Sequence, residues 1–167
     1  MPQHRTQNAA NIAADFLTRC FAPGESIALL LRRENPAGIL QRIAPLERAL
    51  APRYLGWLAH ENSIGANIYV AANPVRSDSR QRTKESIAAV RHLYLDLDTD
   101  GEARLASLWA SDAVPEPNAI VSTSHGKYQV LWRVAGFTFE QQEIALKLLA
   151  VLFANGVSRR RVTNAVG

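Results

Sequence analysis

The chain has 167 residues, 47% of them hydrophobic, which suffices for one buried core and is short for two ordinary domains. A formal charge of +4 and a pI near 9.6 favour polyanionic partners, including nucleic acid. One cysteine excludes an internal disulfide and a cysteine-rich zinc site. Because no apolar run approaches the roughly 20 residues of a membrane-spanning helix, we expect a soluble, cytoplasmic protein with no membrane partner.

The first third of the sequence predicts mainly helices. Apolar residues recur at helical spacing in Asn8–Phe21, and Ser26–Leu31 is a short aliphatic run that can form a strand. Two further helical stretches are predicted, at Gly38–Ile43 and at Leu46–His60, with prolines interrupting them. We therefore expect residues 1–64 to form a helical N-terminal segment.

After residue 65 the sequence alternates between strand and helix patterns. An Arg- and Ser-rich connection, Arg76–Lys84, follows the first strand and is expected to cross the surface. The predicted elements are strand Asn67–Val70, strand His92–Asp98, helix Glu102–Trp109, strand Ala119–Thr123, strand Tyr128–Val134 and helix Phe139–Phe153.

These elements predict an α+β fold. The tight Ser124–Lys127 connection joins two adjacent strands as a hairpin, so the sheet must be at least partly antiparallel. We expect a mixed, largely antiparallel sheet with an RRM-like β-α-β-β core packed by helices, over residues 65–154. The helical segment precedes this sheet core. Residues 155–167 lack apolar periodicity and are expected to form a disordered tail.

Two carboxylates are predicted on one face of the strand at residue 92. Side chains alternate across a strand, so Leu95 and Leu97 point to one face while Asp96 and Asp98 point to the other. Backbone positions two apart lie about 6.5 to 7 Å from each other, which lets both carboxylates converge on one divalent ion or bridge a pair. Such hard oxygen ligands suit Mg²⁺ or Mn²⁺. Alternatively, an acid at the strand end merely caps the following helix.

The predicted hairpin brings polar groups to the same sheet. Alternation places Gln129 and Arg133 on one strand face, and the turn with Gly126 and Lys127 can present backbone N–H groups to phosphate. The simpler alternative is an ordinary hairpin with a polar tip and a solvated arginine.

Together, the two segments resemble a known family. An aliphatic strand ending in Asp-x-Asp, followed by the pattern in Thr123–Val134, is similar to RepB-type plasmid and phage primases of the archaeo-eukaryotic primase superfamily. Asn67–Val70 also resembles the strand that those proteins place before the acidic motif. The resemblance runs roughly from Gln41 to Leu152.

The resemblance implies a DNA primase-like nucleotidyltransferase that makes short primers from nucleoside triphosphates on a single-stranded DNA template, in plasmid or phage replication. It makes Asp96 and Asp98 the catalytic ligands of Mg²⁺ or Mn²⁺. It also admits a replicative helicase or relaxase as a partner. The positions implied in nucleotide binding, with Gln129 standing where many relatives have His, are Ser124, Gly126, Lys127, Gln129 and Arg133.

The sequence departs from the family pattern near its end. Relatives follow the helix at residues 139–153 with a further acidic residue and an Arg-x-Leu-Arg-x-Pro-Gly-like segment, and neither is recognisable after Asn155. A truncation or a frame change would account for this. We therefore expect residues 1–154 to be a primase-like catalytic core with little or no polymerase activity. The alternatives are a non-catalytic nucleic-acid-binding replication accessory and a metal-dependent nuclease.

Overall fold

The structure is a computed structural model that describes the backbone of residues 3–154 and the side chains of residues 10–153. It divides between Arg91 and His92 into two compact units. The predicted disordered tail, residues 155–167, lies outside the described residues. Among those that are described, no helix is both long and apolar enough to cross a membrane.

The first unit is a three-stranded antiparallel sheet with helices. Strand β1 is central, so the strand order is β2-β1-β3. Ile27, Leu29 and Leu31 of β1 are almost fully buried and form a core with Leu17 and Leu58 from the helices. The elements are α1 (Gln3–Cys20), β1 (Ser26–Glu34), β2 (Ala37–Pro45), α2 (Leu46–Ala49), α3 (Pro52–Ser63) and β3 (Asn67–Val70).

The helix predicted at Gly38–Ile43 is wrong, because this segment lies within β2. Ile39 and Ile43 have helical spacing, but β2 forms an antiparallel ladder with β1 from Ser26↔Pro45 to Glu34↔Ala37. That long-range pairing satisfies the backbone groups of the segment and overrides the local pattern. The predicted strand at Ser26–Leu31 is confirmed and extends to Glu34.

The second unit has the predicted β-α-β-β order and a wholly antiparallel sheet, with strand order β4-β6-β5. Leu97 and Val130 are fully buried at the centre of its core, against Leu108 and Leu149 of the helices. The α+β prediction is therefore confirmed. The elements are β4 (His92–Leu97), α4 (Gly101–Trp109), β5 (Ala119–Ser124), β6 (Lys127–Arg133), α5 (Phe139–Leu149) and a π-helical turn (Ala150–Ala154).

Helix α5 begins at a capping box and is tied to the sheet by a side chain. The Thr138 hydroxyl accepts from the Gln141 backbone N–H at 3.2 Å, and the Gln141 side chain accepts from the Thr138 N–H at 2.9 Å. The buried Gln142 amide donates to the His92 carbonyl at 3.0 Å. These bonds fix the start of α5 beside the first residue of β4.

In the first unit, a buried carboxylate links α3 to β1. Glu61 is 9% exposed, and its side chain accepts hydrogen bonds from the Arg33 guanidinium and from the Trp57 indole N–H, the latter at 3.1 Å. The hydrogen bond from Arg33 holds the pKa of Glu61 below its ordinary value. Glu61 is therefore a charged group whose ionised form the fold favours.

We expect Glu61→Gln to lower the melting temperature at neutral pH, because the amide leaves Arg33 without its counter-charge. The pKa of Glu61 is lower in the folded state than in the unfolded state, where it is about 4.5. Ionised Glu61 therefore stabilises the fold above pH 4.5, and this stabilisation is lost as the pH falls through the pKa of the folded state. Thermal unfolding across this pH range should show that the melting temperature falls more steeply with decreasing pH in the wild type than in the variant. The exposed Glu34→Gln is the matched control. Parallel pH profiles for the wild type and Glu61→Gln would contradict this.

Candidate active site

Strand β4 carries the acidic motif, and its pairing with β6 shows which way the side chains point. Asp96 lies opposite Gln129, and Leu95 lies opposite Val130. Leu95 and Leu97 are buried in the core while Asp96 is exposed. The predicted alternation of leucines and carboxylate is thus confirmed within the strand.

Asp98 lies one residue beyond β4, which ends at Leu97 and not at Asp98 as predicted. Extending the ladder one step past Leu97↔Tyr128 would set Asp98 opposite Lys127. Asp98 is exposed, so both carboxylates of the motif face solvent. That Asp98 shares a face with Asp96 stays a prediction.

The structure does not favour the capping alternative. Asp100 occupies the N-cap position of α4 with a left-handed φ of 51°, and its side chain makes no cap hydrogen bond. Among the side chains of residues 10–153, no ion pair or hydrogen bond engages the carboxylate of Asp96 or Asp98. Both carboxylates are therefore available to a ligand.

Strand β6 brings the predicted nucleotide-binding residues to the face of Asp96. Lys127, Gln129 and Arg133 lie on one face of the strand and are exposed, whereas Leu131, on the same face, is buried. Arg133 pairs with His92, four residues along β4 from Asp96, which is about 13 to 14 Å at the backbone. Its N–H donates to the Asn118 side chain at 2.7 Å, so the strand end is fixed while the guanidinium is exposed.

The turn of the β5-β6 hairpin is packed against the start of α4. Ser124 pairs with Lys127, and Gly126 between them has a φ of 68° that favours glycine. Gly101 is buried at this contact. A Cβ added to it would lie 3.0 Å from the Gly126 carbonyl carbon and 3.1 Å from Tyr128 Cδ2, and it would lie even closer to the Gly126 carbonyl oxygen. The turn therefore touches the segment that follows Asp98.

Sequence reasoning gave Gly101 no role. The available signal was the Asp100-Gly101 pair shortly after a predicted strand, a dipeptide typical of a sharp change in chain direction. What the pair could not reveal is the distant turn that packs on it. The predicted residue Gly126 adopts a left-handed conformation in this turn, and its carbonyl group packs on Gly101.

The residues present fit one divalent ion better than two. Within the described part of the chain, no three His, Cys, Asp or Glu side chains are grouped so as to hold a metal ion. Asp96 and Asp98 offer hard oxygen ligands, and Mg²⁺ is commonly held by one or two carboxylates together with substrate phosphates and water. The two carboxylates thus suit an ion that arrives with a nucleotide.

A shallow pocket elsewhere on the second unit contains none of the predicted site residues. It lies at the C-terminal end of α4, whereas the motif carboxylates precede its N-terminal end. The residues lining it are Leu108, Trp109, Ser111, Val114, Pro115, Glu116 and Pro117.

We expect Gly101→Ala to lower the free energy of unfolding by about 1–3 kcal/mol, because the new methyl group meets backbone that cannot move without displacing the hairpin turn. Gly56→Ala in α3 is the control, since its Cβ meets nothing within 4 Å. It should instead stabilise the helix by roughly 0.5–1 kcal/mol. Urea denaturation of both variants measures the difference. Wild-type stability for Gly101→Ala would refute the close approach.

Solved structures share this fold. One, the crystal structure of the catalytic domain of primase RepB′ in complex with initiator DNA, has a TM-score of 0.60 and 20% identity, covering 90% of this chain and 68% of that chain. Another, the crystal structure of primase RepB′, has a TM-score of 0.56 and 20% identity, covering 83% of this chain and 43% of that chain.

Sequence comparison identifies the family. No curated protein matches the chain. The profile of the RepB DNA-primase N-terminal domain matches residues 34–159, which is more than half of the sequence and includes every predicted site residue. The chain therefore belongs to the RepB DNA-primase N-terminal domain family.

Proposed function

We propose that this chain is the nucleotidyltransferase core of a DNA primase that makes short primers on a single-stranded DNA template in plasmid or phage replication. The observation that carries the proposal is the β4-β6 register, which sets Asp96 beside Gln129 and on one face with Lys127 and Arg133. An exposed carboxylate next to exposed donors and cations suits a metal-bound triphosphate.

Asp96 and Asp98 are proposed to hold Mg²⁺ or Mn²⁺ as the catalytic residues. A bound ion of this type polarises phosphoryl oxygens and offsets the charge that develops on them. The carboxylates are suited to this because both are exposed and neither is engaged by another side chain among residues 10–153.

The incoming nucleotide is proposed to lie along β6 and its turn. Ser124 and Lys127 are a cross-strand pair at the hairpin tip and can donate to phosphate, as can the backbone of Gly126. Gln129, beside Asp96, can donate a neutral hydrogen bond but carries no charge. Arg133, farther along the strand, supplies a cation for the more distant part of the substrate.

The template is proposed to be single-stranded DNA. Support comes from the primase RepB′ catalytic domain, which has the same fold and whose crystal structure is a complex with initiator DNA. The basic composition of this chain suits a polyanion. A replicative helicase or relaxase as a further partner stays a prediction.

One observation favours a second candidate, a nucleic-acid-binding accessory without catalysis. The described residues offer Asp96 and Asp98 but no third carboxylate grouped with them, and two-metal phosphoryl transfer needs ligands on both ions. Glu140 and Glu143, the last acids of the sequence, belong to α5, where Glu140 lies in the first turn and favours the helix dipole. Nucleic-acid binding that is unchanged by a chelator would favour this candidate.

We expect the wild-type chain to bind Mn²⁺ in the presence of a nucleoside triphosphate and to incorporate labelled nucleotide slowly. Asp96→Ala should abolish incorporation and weaken Mn²⁺ binding at least tenfold, since one of two carboxylate ligands is lost. Asp112→Ala, at an exposed loop residue of the same unit, is the control and should change neither. Template-dependent incorporation and Mn²⁺ titration are the two measurements. Equal activity of Asp96→Ala and wild type would exclude the proposed site.

We expect Arg133→Ala to raise the Kd for a nucleoside triphosphate with Mg²⁺ by roughly tenfold, the effect of losing about 1.5 kcal/mol of charge-assisted hydrogen bonding. The substitution leaves the backbone bond to Asn118 intact, so the strand end should stay in place. Lys147→Ala removes an exposed cation from α5 and serves as the matched control. Equilibrium titration with a fluorescent nucleotide measures both. An unchanged Kd for Arg133→Ala would remove this residue from the site.

A further inference from the structure

The connection between β3 and β4 contains a strongly basic loop, Arg76–Glu85, which we call the basic loop. All ten of its residues are polar or charged. Four are cations and two are carboxylates, so its net charge is +2, half of the +4 carried by the whole chain.

The basic loop is closed at its base by an ordered set of contacts. Val75 forms a β-bridge with Ile87, and the Arg76 N–H donates to the Ser86 carbonyl at 2.8 Å. The buried Ser86 hydroxyl accepts from the Thr83 N–H and donates to the Thr83 carbonyl, both at 2.8 Å. The base of the loop is therefore fixed on the first unit by backbone and hydroxyl hydrogen bonds.

The carboxylates of the loop are already engaged. Asp78 lies 3.7 Å from the Arg76 guanidinium. Glu85 receives hydrogen bonds from its own backbone and from the Thr83 side chain, which lower its pKa. Arg80 and Arg82 are exposed, and within the described residues neither forms an ion pair. The loop thus presents two exposed cations that no carboxylate among residues 10–153 pairs with.

We propose that Arg80 and Arg82 of the basic loop bind the phosphodiester backbone of single-stranded nucleic acid. The proposal rests on the proposed template function and adds the surface that contacts the strand. Guanidinium groups bind phosphate oxygens through paired hydrogen bonds, and such contacts carry no sequence information. The loop contains no helix or β-ribbon that would enter a duplex groove, so a single strand suits it better.

The test uses the full chain and a labelled thymidine homopolymer, with the same strand annealed to its complement as a second ligand. We compare wild type, Arg80→Ala/Arg82→Ala, and the control Arg48→Ala/Arg53→Ala, which removes two exposed cations from α2 and α3. Kd is measured between about 50 and 200 mM salt. Thermal unfolding shows that each variant is folded.

If each loop arginine contacts one phosphate, the loop variant should bind the single strand roughly twentyfold more weakly near 0.1 M salt. The slope of the logarithm of the binding constant against the logarithm of the salt concentration should also be shallower by about 1.4. The control should keep the wild-type slope. Equal loss in both variants, or wild-type binding by the loop variant, would overturn the role of the loop and leave template binding intact. A greater loss on duplex than on the single strand would overturn the choice of ligand. If the wild type binds neither ligand, the proposed template function fails as well.

Discussion

The register of β4 against β6 is the constraint on which the second unit and its candidate site depend. Side chains of a strand alternate between two faces, so a slip of one residue would expose Leu95 and Leu97 and bury Asp96. Leu97 and Val130 are fully buried on the other side of this ladder, which makes such a slip costly. The packing that stabilises the unit therefore also keeps the Asp96 carboxylate exposed on the opposite face of the sheet.

The contact between Gly101 and the Gly126 carbonyl adds a second constraint, at the end of the same strands. The register fixes positions along and across the sheet, but the carboxylate beyond β4 and the turn beyond β6 lie outside the ladder. Because Gly101 has no Cβ, the start of α4 and the hairpin turn can touch. The segment with Asp98 and the turn with Ser124 and Lys127 are thus neighbours through backbone packing, without needing a direct ion pair.

Local pattern predicted the elements of the second unit and most of those of the first, and the one wrong element, at Gly38–Ile43, has a physical reason. In β4 the buried Leu95 and Leu97 alternate with the exposed Asp96, so periodicity and packing agree there, whereas in β6 three consecutive residues, Val130 to Trp132, are buried. In Gly38–Ile43 the local spacing fits a helix, but a nine-residue ladder with β1 decides the structure. Strand β3 also pairs with β1, and Gly101 packs on Gly126. Both contacts join residues far apart in sequence, so a short sequence window cannot predict them. The roles assigned to Asp96, Asp98 and the β6 residues stay predictions, because geometry brings side chains together without showing what they bind.

The cross-strand neighbour of Asp96 is Gln129, a neutral residue, and this affects how the proposed site could bind a divalent ion. A cation at that position would form an ion pair with Asp96 and compete with a divalent ion for its carboxylate. The neutral amide avoids this competition and can still donate a hydrogen bond to phosphate. Lys127 and Arg133 then carry the positive charge at two distances from Asp96, one near the hairpin tip and one four residue pairs along the ladder. In the proposed site, this spacing leaves Asp96 without a cation directly opposite it, whereas Lys127 would lie opposite Asp98 and supply positive charge at the hairpin end, with Arg133 supplying it at the other end.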